Sequence, residues 1–204
     1  MSEDYRKIVW EVVPLETPHV TRHCHGCAKK SDFVCSGLFR VNANKGSIDV
    51  WLIYKCAGCG ATWNMSVFSR QNIKRMDRQM YEKYLSNDAQ TALDCSFDLE
   101  LLRKNGARAD FSSVRYEVTG EGISEGELCC GRIEIVIKSK YRLGLRLDKL
   151  LKDKLGISRS AVYKLAETGK LCFRPEVDIR KHRMGQQISV LAGRTPGKGT
   201  QPGQ

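Results

Sequence analysis

Two four-residue turns, Cys24-His25-Gly26-Cys27 and Cys56-Ala57-Gly58-Cys59, constrain this chain more than any other feature. Thiolates separated by two residues can grip one metal from a tight turn, and two such turns supply four sulfurs at tetrahedral geometry. The predicted ion is structural Zn2+, because four protein sulfurs close the coordination sphere and leave no position for a reacting water. Glycine precedes the second cysteine of each pair and Gly60 follows the second pair. Small residues there let backbone amides turn towards the sulfurs and share their negative charge. His23 and His25 flank Cys24 and are the alternative donors. A single Cys-x-x-Cys would also suit thiol redox chemistry, but such motifs sit between a strand and a helix, and neither pair here opens an amphipathic helix. Cys35, Cys95, Cys129, Cys130 and Cys172 lack partner spacing and read as ordinary buried thiols.

The 28 residues between the pairs exceed the usual ribbon spacing of roughly 15–20, which leaves room for a hairpin. Residues 33–41 and 48–55 read as its strands, joined by a turn-rich loop at 42–46. A leading strand at 7–13 and the apolar run 63–68 complete a small antiparallel zinc ribbon over residues 1–70, with Trp51 and Trp63 expected to pack around the metal. After Ser69 the apolar period becomes helical at Ile73, Met76, Met80 and Tyr84, then at Ala92, Phe97, Leu101 and Leu102. Two helices are expected, split at Asn87-Asp88, with Gly106 capping the second. Strands at 113–119 and 132–139 then form a short β-hairpin across the glycine-rich segment 120–126, which lacks the Lys-Ser or Lys-Thr of a phosphate-binding loop. Residues 71–140 thus read as a helical connector and β-hairpin without a catalytic constellation. The class is α+β.

Net charge is +11 and unevenly placed: +3 for residues 1–70, −1 for 71–140 and +9 for 141–204. A surplus confined to one module is the electrostatic footprint expected of a nucleic-acid binder. Nine cysteines with no leading signal-peptide pattern predict a cytoplasmic protein. No apolar run approaches the roughly 20 residues that span a bilayer, so no membrane role is expected.

In the basic module, residues 141–192, leucines 147, 150, 151 and 155 line one face of a short helix ended by Gly156. Ser158 is positioned to cap a second helix, 159–168, with Ala161, Val162 and Leu165 inward. Short strands follow at 171–173 and 188–191. Arg159 falls where unpaired helix amides already favour a phosphate. Lys149 and Lys152 project from the polar side of the first helix, and Arg180, Lys181, His182 and Arg183 form a second basic run. Residues 193–204, nearly all Gly, Pro, Thr, Gln and basic, are expected to be disordered.

Arg-Leu-Asp-Lys-Leu-Leu at 146–151, Ser-Arg-Ser at 158–160, Lys-Leu at 164–165, Gly169 and Gly-x-x-Ile-x-Val at 185–190 resemble the S4 RNA-binding domain over about a quarter of the chain. The resemblance implies a basic face for structured RNA, at Arg146, Lys149, Arg159 and Lys164. Cys172-Phe173-Arg174-Pro175-Glu176 departs from it, lacking the Val-Asn-Gly turn usual between the two strands. The whole arrangement, through residues 39–45 and 49–56, is also similar to a bacterial family known only as a domain of unknown function, which implies no activity.

The expected function is non-enzymatic binding of structured RNA, such as rRNA, tRNA or a ribosomal particle, by recognition of shape and backbone, since few aromatics interleave with the charges. The alternatives are an RNA-modification enzyme and a zinc-dependent factor that binds a protein partner.

Overall fold

Strand-type alternation runs much further along the chain than the sequence reading allows. The computed structural model describes residues 5–111 and 114–193. Ser113 and the tail beyond Gly193, which was expected to be disordered, lie outside the described residues. The first elements are β1 (Arg6–Pro14), β2 (His19–Cys24), β3 (Lys29–Asn44), β4 (Ser47–Cys56), β5 (Thr62–Asn72), α1 (Arg78–Leu85), α2 (Ala89–Phe97) and α3 (Leu99–Lys104). They are followed by β6 (Arg108–Asp110), β7 (Tyr116–Thr119), α4 (Glu125–Cys130), β8 (Ile133–Ser139), α5 (Leu147–Leu155), α6 (Arg159–Glu167), β9 (Leu171–Arg174) and β10 (Gln187–Ala192). The class is α+β, as expected, with two five-stranded sheets.

Leu15–Arg115 forms one compact unit; the described residues up to Pro14 and from Tyr116 onward form the other. These units do not coincide with the segments 1–70, 71–140 and 141–192 suggested by composition.

The inserted unit is built on the antiparallel sheet β5-β4-β3-β2-β6. Along β4, Ile48, Val50, Leu52 and Tyr54 are buried, while Ser47, Asp49, Trp51 and Ile53 alternate on the other face. Tyr84 of α1, Ala92 of α2 and Leu102 of α3 share the core with those buried residues, so the helices cover that face alone. The β3–β4 turn is only Lys45-Gly46, both at positive φ (46° and 82°). That is the two-residue hairpin whose twist suits antiparallel strands. Three helices stand where two were expected. Asp98 accepts the Leu101 amide and so ends α2 and caps α3, just as Asp77 and Asp88 cap α1 and α2.

The second sheet, β7-β1-β8-β10-β9, is mixed, with β1 parallel to β8. This corrects two expectations. The leading strand does not belong to the ribbon, and the strands at 113–119 and 132–139 do not form a hairpin, because β1 lies between β7 and β8. Ile8, Trp10 and Val12 are almost fully buried while Lys7, Val9 and Glu11 are exposed, so β1 covers one face and lies beside a strand that is buried on both. β8, with Ile133, Ile135, Val136 and Ile137 buried, is such a strand. The segment expected to be only a turn runs into α4, whose start is fixed by a reciprocal capping box between Ser124 and Glu127.

The last elements follow the sequence reading closely. α5 buries Leu147, Leu150 and Leu151, and Gly156 ends it at φ 67°. Ser158 accepts the Ala161 amide at 3.1 Å to start α6. Lys154 Nζ donates to the carbonyls of Val118 and Gly120, both at 2.9 Å, and sits over the Trp10 ring.

At Gly120, directly after β7, backbone closely approaches backbone. A Cβ there would lie 2.3 Å from the Val9 carbonyl oxygen, at a φ of +105°. Gly120→Ala is therefore expected to cost more than about 2 kcal/mol, whereas Gly122→Ala, with open space around it, should be nearly neutral. Chemical denaturation of both variants checks this.

Candidate metal centre and nucleic-acid interface

Cys24 ends β2 and Cys56 ends β4, and these strands run the same way on either side of β3. Both cysteine turns therefore leave the sheet at one end. The sulfurs of Cys24, Cys27, Cys56 and Cys59 all lie within 4.8 Å of one another. Cys24 Sγ is 3.5 Å from Cys59 Sγ, and Cys27 Sγ is 3.8 Å from Cys56 Sγ. Tetrahedral zinc, with Zn–S near 2.3 Å, sets sulfur–sulfur edges of about 3.8 Å, so donor set and spacing both fit that ion. His23 and His25 are not among the clustered donors; they are exposed and meet each other edge-on at 5.5 Å.

Gly26 is a steric requirement, whereas Gly58 sits at the edge of ordinary contact. A Cβ on Gly26 would lie 2.9 Å from Cys59 Sγ, and one on Gly58 would lie 3.4 Å from Cys27 Sγ. Ala28 and Gly60, each following a cysteine pair, adopt left-handed φ values of 53° and 74°. The backbone amide of Cys59, and then that of Gly58, hold the Cys56 thiol down at about 6, which favours the thiolate a metal needs. The amide of Ala61 also lowers Cys59, but the thiols of Cys27 and Cys24 outweigh it and push Cys59 up to about 12. Four such sulfurs cannot all ionise without a cation among them.

Arg22 supplies further positive charge. Its guanidinium lies 4.1 Å from the Trp63 ring centroid, and its Nη1 is buried without a hydrogen-bond partner among the described residues. Burial pulls its pKa down, while the nearby Cys24 opposes that shift. Trp63 packs on Phe33 and Tyr54 beside the cluster, as the sequence suggests. Trp51 does not. It lies on the face turned away from the core, because it sits at odd parity to the buried residues of β4. Of the remaining cysteines, Cys35, Cys95 and Cys172 are half-buried. Burial, then Asp94 and Asp98, push Cys95 up to about 12, in keeping with an inert thiol. The side chains of Cys129 and Cys130 lie outside the description.

The basic residues singled out by the sequence fall into three groups around α5 and α6. Arg146, at the start of α5, grips the fully buried Asp148 with two hydrogen bonds of 3.0 and 2.8 Å. The Tyr163 hydroxyl donates to the same carboxylate at 2.6 Å, the Lys149 amide at 2.8 Å, and Arg159 Nε lies 3.7 Å away. Burial opposes ionisation of Asp148, but the hydrogen bonds from Arg146 and Tyr163 outweigh it and hold the carboxyl below its ordinary value. This junction was not foreseen, although Asp148 stands inside the Arg-Leu-Asp phrase; an aspartate beside the apolar stripe of a helix was the available signal. Arg180 accepts from Arg146 through its carbonyl, pairs with Glu167 and stacks on Tyr163. It also lines a cleft of about 480 Å³ rimmed by Glu167, Glu176 and Asp178.

In the second group, Lys149, Lys181 and Arg183 are exposed beside that junction. Arg183 is the strand-type partner of Arg146 and donates to the Gly144 carbonyl at 2.8 Å. Lys149 and Lys181 have no carboxylate partner among the described residues. The third group lies apart: Lys152 pairs with Asp153 at 3.2 Å, and Lys164 lines a small groove with Leu128, Ala161 and Leu165.

Three measurements follow from this geometry. Gly26→Ala should lower bound metal well below one ion per chain, by elemental analysis, while Gly122→Ala leaves it unchanged. Metal should be lost on acidification as the thiolates protonate. Asp148→Ala should lower stability by about 1–3 kcal/mol, the leftover arginines being half-exposed. Because the folded-state pKa of Asp148 is depressed, its contribution is present above the unfolded value of about 4 and is lost as pH falls through the folded one. The stability gap between wild type and Asp148→Ala should narrow at low pH.

No helix among the described residues is long and apolar enough to cross a membrane. No curated protein and no solved structure matches the chain. A family model described as "Protein of unknown function (DUF1062)" matches residues 41–177, about two-thirds of the sequence. The match contains Cys56 and Cys59 and both helices α5 and α6, and begins after the first cysteine pair. The chain belongs to the DUF1062 family.

Proposed function

We propose that this protein binds structured RNA without catalysing a reaction on it, through an S4-like module formed by α5, α6, β9 and β10, and that Zn2+ braces the inserted unit. The observation that carries this reading is the gathering of basic groups from three separate segments at one end of the helix pair. Residues 146–149, the first turn of α6 and the run 180–183 all meet around Asp148. The fully buried Asp148 answers Arg146 and Arg159, and Glu167 answers Arg180, which leaves Lys149, Lys181 and Arg183 without a carboxylate partner among the described residues. Arg146 and Arg159 remain 42% and 45% exposed, which lets each hold Asp148 with one edge and offer another to a phosphate.

The nine-residue helix α6 adds its own unpaired amides and dipole at Arg159. The ladder order helix, αL glycine, capped helix, strand and returning strand supports the S4 resemblance. In this reading Lys149, Lys181 and Arg183 make the mobile phosphate contacts, Arg146 and Arg159 combine contact with structure, and Lys152, Lys164 and Arg180 contribute less. A ribosomal particle, rRNA or tRNA would each present suitable backbone.

Affinity for a structured RNA hairpin should fall steeply with salt. Lys149→Ala and Lys181→Ala should each weaken binding several-fold, reduce the logarithmic salt slope by about 0.9, and leave the melting temperature unchanged. Leu150→Ala should instead cost about 2–5 kcal/mol of stability. Titrations at several salt concentrations, run beside thermal melts, provide the check; lysine variants that bind like wild type contradict the proposal.

A further inference from the structure

We propose that the solvent face of the β2–β5 sheet binds single-stranded nucleic acid, with Trp51 as the platform on which a base stacks. The inserted unit hides its positive charge in its modest total. Residues 22–76, which contain most of that sheet, carry nine Lys and Arg against two acids, whereas residues 77–110, the helices and β6, carry five against seven. The surplus therefore belongs to the sheet and not to the helices that cover one side of it.

Strand register places the relevant side chains together. Trp51 stands at the middle of β4 on the uncovered face, opposite Arg40 on β3 and Ser66 on β5. The Arg40 guanidinium lies 5.9 Å from the Trp51 ring centroid. Two positions along β4 on each side come Asp49 and Ile53, and Lys55 follows on the same face. Towards the cysteine turns, Lys55 and Lys30 are exposed. At the opposite end are Lys45 and Arg70. The acids of β3 and β4 on this face are already engaged, Asp32 by the Thr21 hydroxyl and Asp49 by the Arg70 amide, each at 2.8 Å, and Asp110 stands away from Trp51 on the edge strand β6. β4 is ten residues long, about 33 Å, enough for several nucleotides laid along a basic track.

An aromatic ring with an arginine against it, exposed cations at both ends and neutral Asn and Ser neighbours is the chemistry that recognises an unpaired base and its backbone. A duplex would not expose a base to Trp51. This surface differs from the helix-pair face in both location and ligand, so it stands whether or not that face binds structured RNA.

The test is titration of the full-length, metal-loaded protein with a short fluorescent oligouridylate, read by anisotropy. Binding should weaken as salt rises. Trp51→Ala should lower affinity roughly tenfold or more, Trp51→Phe should retain most of it, and Arg40→Ala or Lys55→Ala should lower it several-fold with a salt slope reduced by about 0.7. Lys149→Ala and Lys181→Ala should leave oligouridylate binding intact, separating this surface from the helix pair. The proposal is overturned if oligouridylate does not bind, if Trp51→Ala binds like wild type with an unchanged melt, or if an acidic peptide competes as well as the oligonucleotide, since charge alone would then explain the contact.

Discussion

Four sulfurs held within 4.8 Å of one another are the constraint on which the inserted unit depends. Without a cation, ionised thiols at that distance repel, and protonated ones give up the amide contacts that shape the turns. With a divalent ion, β2, β3 and β4 are tied at one end, where the chain offers only short turns and little apolar mass. The rest of the unit is arranged around that tie. Gly26 leaves room for the sulfurs, Arg22 lends positive charge, and Trp63 with Phe33 and Tyr54 forms the apolar wall beside them.

The other unit solves a similar problem with the signs reversed. Asp148 is completely buried, and a buried carboxylate is tolerated only when paired and hydrogen-bonded. Arg146, Arg159 and Tyr163 come from two helices to meet it, so one charge fixes how α5 and α6 pack. Pairing of this kind adds little net stability compared with apolar packing, but it sets geometry. The consequence for function is that the arginines are partly spent inside, and the lysines around them are left to face solvent.

Much of this was legible where a residue pattern acts locally. The cysteine spacing picked out the four residues whose sulfurs cluster, and the leucine stripe, Gly156 and Ser158 placed α5 and α6 almost to the residue. Long-range pairing was not legible. β1 finds β8 about 130 residues away, and nothing in its alternation says which sheet it will join. Alternation on β4 showed two faces but not which one the helices would cover, so Trp51 was assigned to the wrong side. The capping box at Ser124 and Glu127 was readable as a helix start yet was hidden among glycines. Asp148 was visible as a residue, but its role as a junction depends on tertiary contacts with Tyr163 and Arg159.

Hydrogen exchange of the full-length, metal-loaded protein with and without a structured RNA hairpin tests the central claim most directly, because it reports where contact occurs without altering a side chain. Added protection at residues 146–149, 159–163 and 180–183 is the predicted result. Unchanged exchange in those three segments at an RNA concentration that saturates binding would contradict it.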